Sequence, residues 1–421
     1  MAFRRALDRP LTVLVASPGR HLFEEIHDAR VTVVALGTDA PDPDLIVFSC
    51  GSDRHFENVA AAALPERVRA NIAAGSIGLV FDVSIEGVKH KGHTTGQLHD
   101  VIRHLGASPL NCVYVTQDRA FEAEYRSYCA SIGFGPPVAV LNHDYWVWYA
   151  FAQYERDGER IYQQRLEAFR SRKPHRARRF LSFNRTPRPA KIVFLLSLLR
   201  DGLWDEGFVS FGGFEHPDER IGEKPRPTAE QLARALPGFE DHVASLAPLL
   251  DALDDRGRVL LGMERHGWKR LELWNASLAA DLAEYHESWF SVATETEMRP
   301  RPSRITEKSL KPLANFHPML VLGNPGALAM IRSYGFATFE EIYDESYDEE
   351  LDPRRRFDMV YEQVVKLCRL EERALLDMEK RVTDKLIFNA QWGFTRFPGV
   401  YRRQRDEALV NEIVAAVSRR A

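Results

Sequence analysis

The sequence has few of the patterns that define common functional classes. Only four of its 421 residues are cysteines, and no two form a CxxC pair, so the zinc and redox motifs built on such pairs are absent. No run of 18 uninterrupted apolar residues occurs, and we therefore expect no membrane span. The net charge is −4, so any binding of anions has to come from a local cluster of basic residues.

Several catalytic signatures are also missing. The chain contains no GxxxxGK[ST], GxSxG or HExxH sequence, and SPGRH follows its first apolar run in place of GxGxxG. The early DxD sequence, Asp42-Pro43-Asp44, precedes an apolar run instead of ending one. These absences argue against a P-loop enzyme, a hydrolase, a metalloprotease and a dehydrogenase. His90 and His93 lack a third ligand nearby in sequence, so no metal site is predicted.

The first apolar run is too short for a secretory signal, and together with the cysteine content this predicts a cytoplasmic protein. Two series of short β-branched apolar runs alternate with helical patterns. The first series comprises 11–17, 31–37, 44–51, 77–84, 112–118 and 137–144, and the second 178–185, 208–213, 258–263, 289–296 and 318–324. Continuous apolar strands separated by helices predict parallel sheets covered on both faces.

The predicted fold class is therefore α/β, with two Rossmann-like domains that face each other across a cleft and long helices at the carboxyl terminus. The predicted division is a domain at 1–150, a linker helix with a basic segment at 151–177, a second domain at 178–385 and a helical tail at 386–421. Residues 354–385 read as one long helix. Ligands of such sheets lie beyond the carboxyl ends of the strands, which places the expected site in the cleft.

The stretch 170–191 contains nine Lys or Arg residues and no acid. Arg185 and Arg188 fall between a predicted strand and an apolar helix, where a helix amino terminus and arginine side chains can bind phosphate oxygens together. Ser182 and Asn184 add a hydroxyl and an amide. A surface linker with ordinary solvated arginines is the alternative interpretation.

A second polar group follows the strand that ends at Glu295. After a loop rich in Pro and Arg, Thr306, Glu307 and Lys308 open the next helix. Thr306 has the side chain of an N-cap, and a lysine at a helix amino terminus favours a diphosphate. An ionised glutamate can accept both hydroxyls of a ribose. A capped surface helix with an adjacent acid–base pair is the other interpretation.

The run from ITEK to PMLVLGNPGALAMIRSYG, preceded by a strand that ends in an acid, resembles the donor-binding region of GT-B glycosyltransferases. It is most similar to the α1,3-fucosyltransferase family, and with FLSFNRTPRPAKIVFLLSLL it resembles a group of phage and bacterial glycosyltransferase-like proteins. The resemblance covers about 180–365. It implies that Glu307 binds the donor ribose, Lys308 and Arg185 the pyrophosphate, and that Glu295 lies near the sugar or the nucleotide.

Asp82 and Glu86 lie at the end of a strand of the first domain, where a carboxylate could take the proton of an acceptor hydroxyl. Glu86 is the predicted base, and Asp82 the second candidate. Loop caps are the alternative. In the acidic stretch 344–358, which reads as a solvated face and a helix start, Tyr347 is a candidate for stacking on a nucleotide.

Together these features predict an inverting, metal-independent glycosyltransferase. Its donor would be a nucleotide-diphosphate sugar, with GDP as one option, and this co-substrate takes the place of any cofactor. The predicted acceptor is a glycan or a protein, with nucleic acid ranked below both because most of the chain is acidic. Two alternatives stay open: a nucleotide-sugar epimerase, and a non-catalytic glycan- or protein-binding module on a transferase fold.

Overall fold

The computed structural model describes residues 10–16, 22–24, 26, 28, 30–35, 42–50, 56, 59, 64–84, 92–152, 154, 156–214, 225–262, 283–301 and 303–418. The chain divides into two compact units. The first unit comprises Met1–Trp148, Arg301–Arg304 and Gly399–Ala421, and the second comprises Tyr149–Pro300 and Ile305–Pro398.

The strands are β1 Leu11–Val15, β2 Val31–Ala35, β3 Leu45–Ser49, β4 Gly78–Val83, β5 Cys112–Thr116, β6 Ala139–Asn142, β7 Phe180–Ser182, β8 Gly207–Val209, β9 Phe290–Thr294 and β10 Met319–Leu322. The helices are α1 Glu66–Ala73, α2 Gly92–His104, α3 Phe121–Ser131, α4 Tyr145–Ala152, α5 Gly158–Arg170, α6 Pro189–Arg200, α7 Ala229–Ala235, α8 Glu240–Leu246, α9 Leu250–Asp255, α10 Ala283–His286, α11 Glu307–Ala314, α12 Ala327–Ser333, α13 Pro353–Cys368, α14 Glu372–Gln391 and α15 Phe397–Val417.

The first unit is built on a parallel sheet with the order β2-β1-β3-β4-β5-β6. Every residue of β4 and β5 is buried, which explains why these strands read as continuous apolar runs. Helices α1, α2 and α3 supply apolar side chains to one face of the sheet. On the other face, Leu409, Ile413 and Val417 of α15 join the sheet residues in a second core.

The second unit has a parallel sheet of four strands in the order β10-β9-β7-β8. Counted from β7, this is the same winding that β2-β1-β3-β4 shows in the first unit. In such doubly wound sheets the connections turn to opposite sides between the first and third strands, here β7 and β9, and ligands bind at that switch point. The predicted α/β class with two Rossmann-like units is confirmed, as are the long carboxyl-terminal helices α14 and α15.

The structure differs from the sequence prediction in the helices. The predicted helix at 354–385 is two helices, α13 and α14, because Arg369 caps the first and the extended backbone of Glu371 starts the second. The predicted strand at 258–263 contributes one antiparallel bridge, between Phe211 and Val259. By its contacts, Gly399–Ala421 groups with the first unit, whereas sequence alone placed it in a separate tail.

Across the described ranges, we find no helix with both the length and the apolar character that crossing a bilayer requires.

Candidate functional site

Each of two neighbouring strands of the second unit is connected by a loop to a helix. Helix α6 follows β7, with Arg188 as its N-cap and Pro189 as its first residue, and α11 follows β9, with Thr306 as its N-cap. The side chain of the N-cap residue Arg188 does not cap the first amides of α6. Because a helix amino terminus carries partial positive charge, two of them at the switch point of one sheet favour an anion there.

Buried hydrogen bonds join the ends of the strands below these helices. The hydroxyl of Ser182 donates to the carbonyl of Val292 (3.0 Å), and the side-chain amide of Asn184 donates to Ser182 Oγ (3.0 Å). Thr294 Oγ1 in turn donates to Asn184 Oδ1 (2.7 Å). Both residues predicted to bind the donor, Ser182 and Asn184, are buried and connect β7 to β9. Direct contact of either with a donor stays a prediction.

Glu295, the first residue after β9, holds the start of α11. Its Oε1 accepts from the backbone N–H of Thr306 (3.0 Å) and from the hydroxyl of Ser309 (2.6 Å). Its Oε2 accepts from the hydroxyl of Thr306 (2.7 Å). The residue is only 2% exposed, so the carboxylate is directed at the first turn of the helix and satisfied there.

Glu307 and Lys308 form an ion pair at the same helix end. The ammonium of Lys308 donates to Glu307 Oε1 (3.0 Å) and to Thr306 Oγ1 (3.1 Å). Burial alone would raise the pKa of Glu307, but the positive charges of Lys308 and Lys311 outweigh it and lower this pKa to about 2. Glu307 is therefore ionised at neutral pH, as binding to ribose hydroxyls would require.

Lys191 is the central residue that sequence reasoning missed. It lies in the first turn of α6 and is 3% exposed, and its ammonium makes no hydrogen bond or salt bridge to the residues that the structure describes. Burial and the positive charges of Lys308 and Arg188 lower its pKa to about 7, against the opposing effect of Glu295 and Glu307. The available signal was a single lysine in the otherwise apolar start of PAKIVFLLSLL.

The charges of Arg188 and Lys308, predicted from separate motifs, both act on the buried ammonium of Lys191, as do the opposite charges of Glu295 and Glu307. Arg188 is exposed, and Arg185 is half-buried in the loop before it. That loop is packed tightly, since a Cβ placed on Gly212 would lie 1.6 Å from the carbonyl oxygen of Arg185. The amino termini of α6 and α11 thus both carry charged side chains that act on Lys191.

Arg356 of α13 connects the loops that follow β9 and β10 through hydrogen bonds. It was not predicted as a site residue from the sequence. Its buried guanidinium donates to the carbonyls of Gly323 (2.9 Å) and Met298, which follow β10 and β9. Burial lowers its pKa to about 10. Gly323 in turn lies against Glu295, because a Cβ there would meet Glu295 Cβ and Cγ at 3.1 Å. Arg356 therefore supports the carboxylate that holds α11.

In the first unit, Asp82 is the last residue but one of β4, and both oxygens of its carboxylate accept hydrogen bonds. Oδ1 accepts from the backbone and hydroxyl of Ser84 (3.0 and 2.6 Å), and Oδ2 accepts from the backbone of Leu22 (2.6 Å). Burial raises the pKa of Asp82, although these hydrogen bonds oppose the rise. The contacts are those of an anchor for the strand end. Glu86 and His90 lie outside the described residues, as does the side chain of His93.

The stacking role suggested for Tyr347 is wrong. The residue is 1% exposed, and its hydroxyl accepts from the backbone N–H of Val321 (3.2 Å) in the edge strand β10. Two nearby acids instead cap the amino termini of helices. Asp348 accepts from two amides of α12, and Asp352 caps α13. Within the described part of the chain, no three His, Cys, Asp or Glu side chains group as metal ligands would.

No protein-family model matches this sequence, and no curated protein matches it either. Among solved structures, the chain is similar to the α,α-trehalose 6-phosphate synthase of Burkholderia multivorans, with a TM-score of 0.38 and 13% sequence identity. The match covers 97% of this chain and 100% of that one. At this level of similarity neither family nor activity follows, and the resemblance to α1,3-fucosyltransferases stays a prediction from the motifs.

Proposed function

We propose that the chain is a glycosyltransferase whose second unit binds a nucleotide-diphosphate sugar, with the diphosphate at the amino termini of α6 and α11. One observation carries this proposal: the buried ammonium of Lys191 lies within the electrostatic reach of Arg188 and Lys308, at the switch point of the sheet. Burial and nearby like charges disfavour the ammonium form of a lysine, and a nearby opposite charge favours it. Lys308 is already paired with Glu307, so Lys191 is the cation that a diphosphate would newly stabilise, and a diphosphate has oxygens enough to reach both helices.

The same charges suit the chemistry of sugar transfer. When the bond between the sugar and the diphosphate breaks, negative charge grows on the leaving phosphate, and groups already oriented towards it lower the barrier. Positive side chains and two helix ends can do this without a metal ion, as the proposed metal-independent reaction requires. The acceptor oxygen then bonds to the sugar, and its proton passes to a base.

Glu86 stays the proposed base, with inversion at the sugar as the proposed stereochemical course. Asp82 fits the reaction less well, since both of its oxygens accept hydrogen bonds within the first unit. Glu307 is the proposed ribose ligand, because it is ionised at neutral pH and lies in the first turn of α11. The acceptor is proposed to be a hydroxyl of a glycan or protein.

A thermal-shift screen of nucleoside diphosphates tests the proposal, since a ligand that binds the folded state raises the melting temperature by mass action. We expect one nucleoside diphosphate, with GDP the first to try, to stabilise the wild type but not Lys308→Ala. Lys366→Ala, a change of an exposed lysine on α13, should respond like the wild type. The absence of a shift with any nucleoside diphosphate, or an equal shift in Lys308→Ala, would refute the proposed donor site.

The matching nucleotide sugar then separates transfer from epimerisation. A transferase without acceptor should release sugar slowly by hydrolysis, whereas an epimerase should convert the nucleotide sugar at full rate on its own. Glu86→Gln should abolish transfer and leave the thermal shift unchanged, because the base is proposed to act on the acceptor. Transfer at the wild-type rate in Glu86→Gln would remove this residue from the mechanism.

A further inference from the structure

The hydrogen bonds around Glu295 form a continuous chain from a buried carboxylate to a half-buried cation. Lys308 Nζ donates to Thr306 Oγ1 (3.1 Å), and the Thr306 hydroxyl donates to Glu295 Oε2 (2.7 Å). The other carboxylate oxygen accepts from the Thr306 amide and the Ser309 hydroxyl. One carboxylate thus fixes the N-cap, the first turn and, through the N-cap, the ammonium of Lys308.

Helices do not need such an arrangement simply to begin. A threonine N-cap already satisfies a free amide of α11, here by accepting from the backbone of Lys308 (3.4 Å). Burying an additional carboxylate beneath that cap is costly unless its hydrogen bonds are made, and here three donors converge on it. The arrangement therefore defines the position of this helix end more tightly than capping would.

We propose that Glu295 is the positioning residue of the donor site: it sets the place of Lys308 and of the first amides of α11 without itself contacting the donor. This inference rests on the proposed function and revises the role that the sequence suggested, in which Glu295 lies against the sugar or the nucleotide. Its burial and its three internal hydrogen bonds leave the residue directed into the protein.

Glu295 also acts on the site through its charge. Its negative charge favours the ammonium form of Lys191, whereas the positive charges of Lys308 and Arg188 disfavour that form. Replacing Glu295 by glutamine should therefore lower the pKa of Lys191 further. Since an anion binds best to the charged lysine, the pH at which binding weakens should move to a lower value. A purely structural contact would not change this pH.

Three variants separate the two effects, with pyrophosphate as the probe and calorimetry as the assay. Glu295→Gln should weaken binding by about tenfold or more, the range for lost hydrogen bonds to a charged group. It should also shift the pH midpoint of binding downward. Ser309→Ala removes one hydrogen bond but keeps the charge, so it should weaken binding by about threefold and leave the midpoint in place. Glu362→Gln, at an exposed position of α13, should match the wild type.

Amide hydrogen exchange of the ligand-free proteins tests the positioning role by itself. Exchange at residues 306–309 should be faster in Glu295→Gln than in Glu362→Gln, while the strands keep wild-type protection. Unchanged exchange, or pyrophosphate binding as tight as in the wild type, would overturn the inference. If the wild type binds no diphosphate, the proposed function fails, and the exchange comparison still decides whether Glu295 fixes this helix end.

Discussion

Replacing Lys191 by methionine should stabilise the ligand-free protein and abolish its affinity for diphosphates. Methionine has nearly the length of lysine and no charge, so it fits a site that is 3% exposed among the apolar residues of α6. The change removes the cost of burying the ammonium and the repulsion that Lys308 and Arg188 exert on it, which Glu295 and Glu307 partly offset. A residue kept for packing alone would show the opposite result, with stability lost on substitution.

The size of the effect follows from the pKa of Lys191, about 7 in the folded protein against 10.5 in an unfolded chain. At about 1.4 kcal/mol per pKa unit, holding this lysine charged in the fold destabilises it by roughly 4–5 kcal/mol below pH 7. Between pH 7 and 10.5 the unfolded chain binds the extra proton, so the wild type regains stability as the pH rises. About 2 kcal/mol of the effect should remain at pH 9.

Urea denaturation of both proteins at pH 6 and pH 9 measures this directly. We expect Lys191→Met to raise the free energy of unfolding at both pH values. The increase at pH 6 should be about 2–3 kcal/mol larger than the increase at pH 9. Comparing two pH values cancels any difference in how the two side chains pack. Lys366→Ala, which changes an exposed lysine, should show no such pH dependence.

Two outcomes would refute this reasoning. If the difference between Lys191→Met and the wild type does not change with pH, the ammonium is not destabilised by its surroundings in the fold. If methionine preserves the thermal shift given by a nucleoside diphosphate, Lys191 takes no part in binding the anion. In either case the positive cluster at the ends of α6 and α11 would lose its central member.

Three further predictions follow from individual contacts. Diphosphate affinity should fall by up to tenfold per pH unit above about pH 7, because the pKa of Lys191 is about 7 without ligand and rises when an anion binds. Calorimetry between pH 6 and 9 measures this slope. Gly212→Ala should destabilise the fold by about 1–3 kcal/mol and weaken binding, since the added Cβ would displace the carbonyl of Arg185. In the control Gly96→Ala, the added Cβ meets no atom within 4 Å, so the change should be neutral or slightly stabilising. Urea denaturation measures both effects. Asp352→Ala removes the N-cap of α13 and should lower the free energy of unfolding by about 1 kcal/mol, without changing diphosphate affinity.

The architecture could be predicted from the sequence because parallel strands buried on both faces leave a plain signal. Runs such as LTVLV and GLVFDV become β1 and β4 with boundaries within two residues of those expected. The order of the strands could not be predicted, since it depends on which strands pair and not on any local pattern. The break between α13 and α14 was missed because CRLEER contains neither proline nor glycine, the residues that usually mark a helix end.

The site was predictable only in part, for a different physical reason. Thr306 and Lys308 could be found because a helix start has a local signature, and the structure indeed has Thr306 as an N-cap. Lys191 could not be assigned a role, because its importance comes from charges about 120 residues away in sequence. Asn184 and Ser182 have the side chains of ligand-binding residues, yet the sequence cannot show that both also make buried hydrogen bonds to β9.

The residues of this site fall into two groups that substitution should separate. Ser182, Glu295 and Arg356 make satisfied internal hydrogen bonds, so changing them should lower both stability and binding. The ammonium of Lys191 is disfavoured by burial and by its cationic neighbours, so changing Lys191 should lower binding while raising stability. Such a buried ammonium is tolerated when the surrounding hydrogen bonds hold the site in place, and a bound anion would favour its charged form. That opposition, more than any single contact, is why an anion-binding role accounts for the arrangement better than a purely structural one.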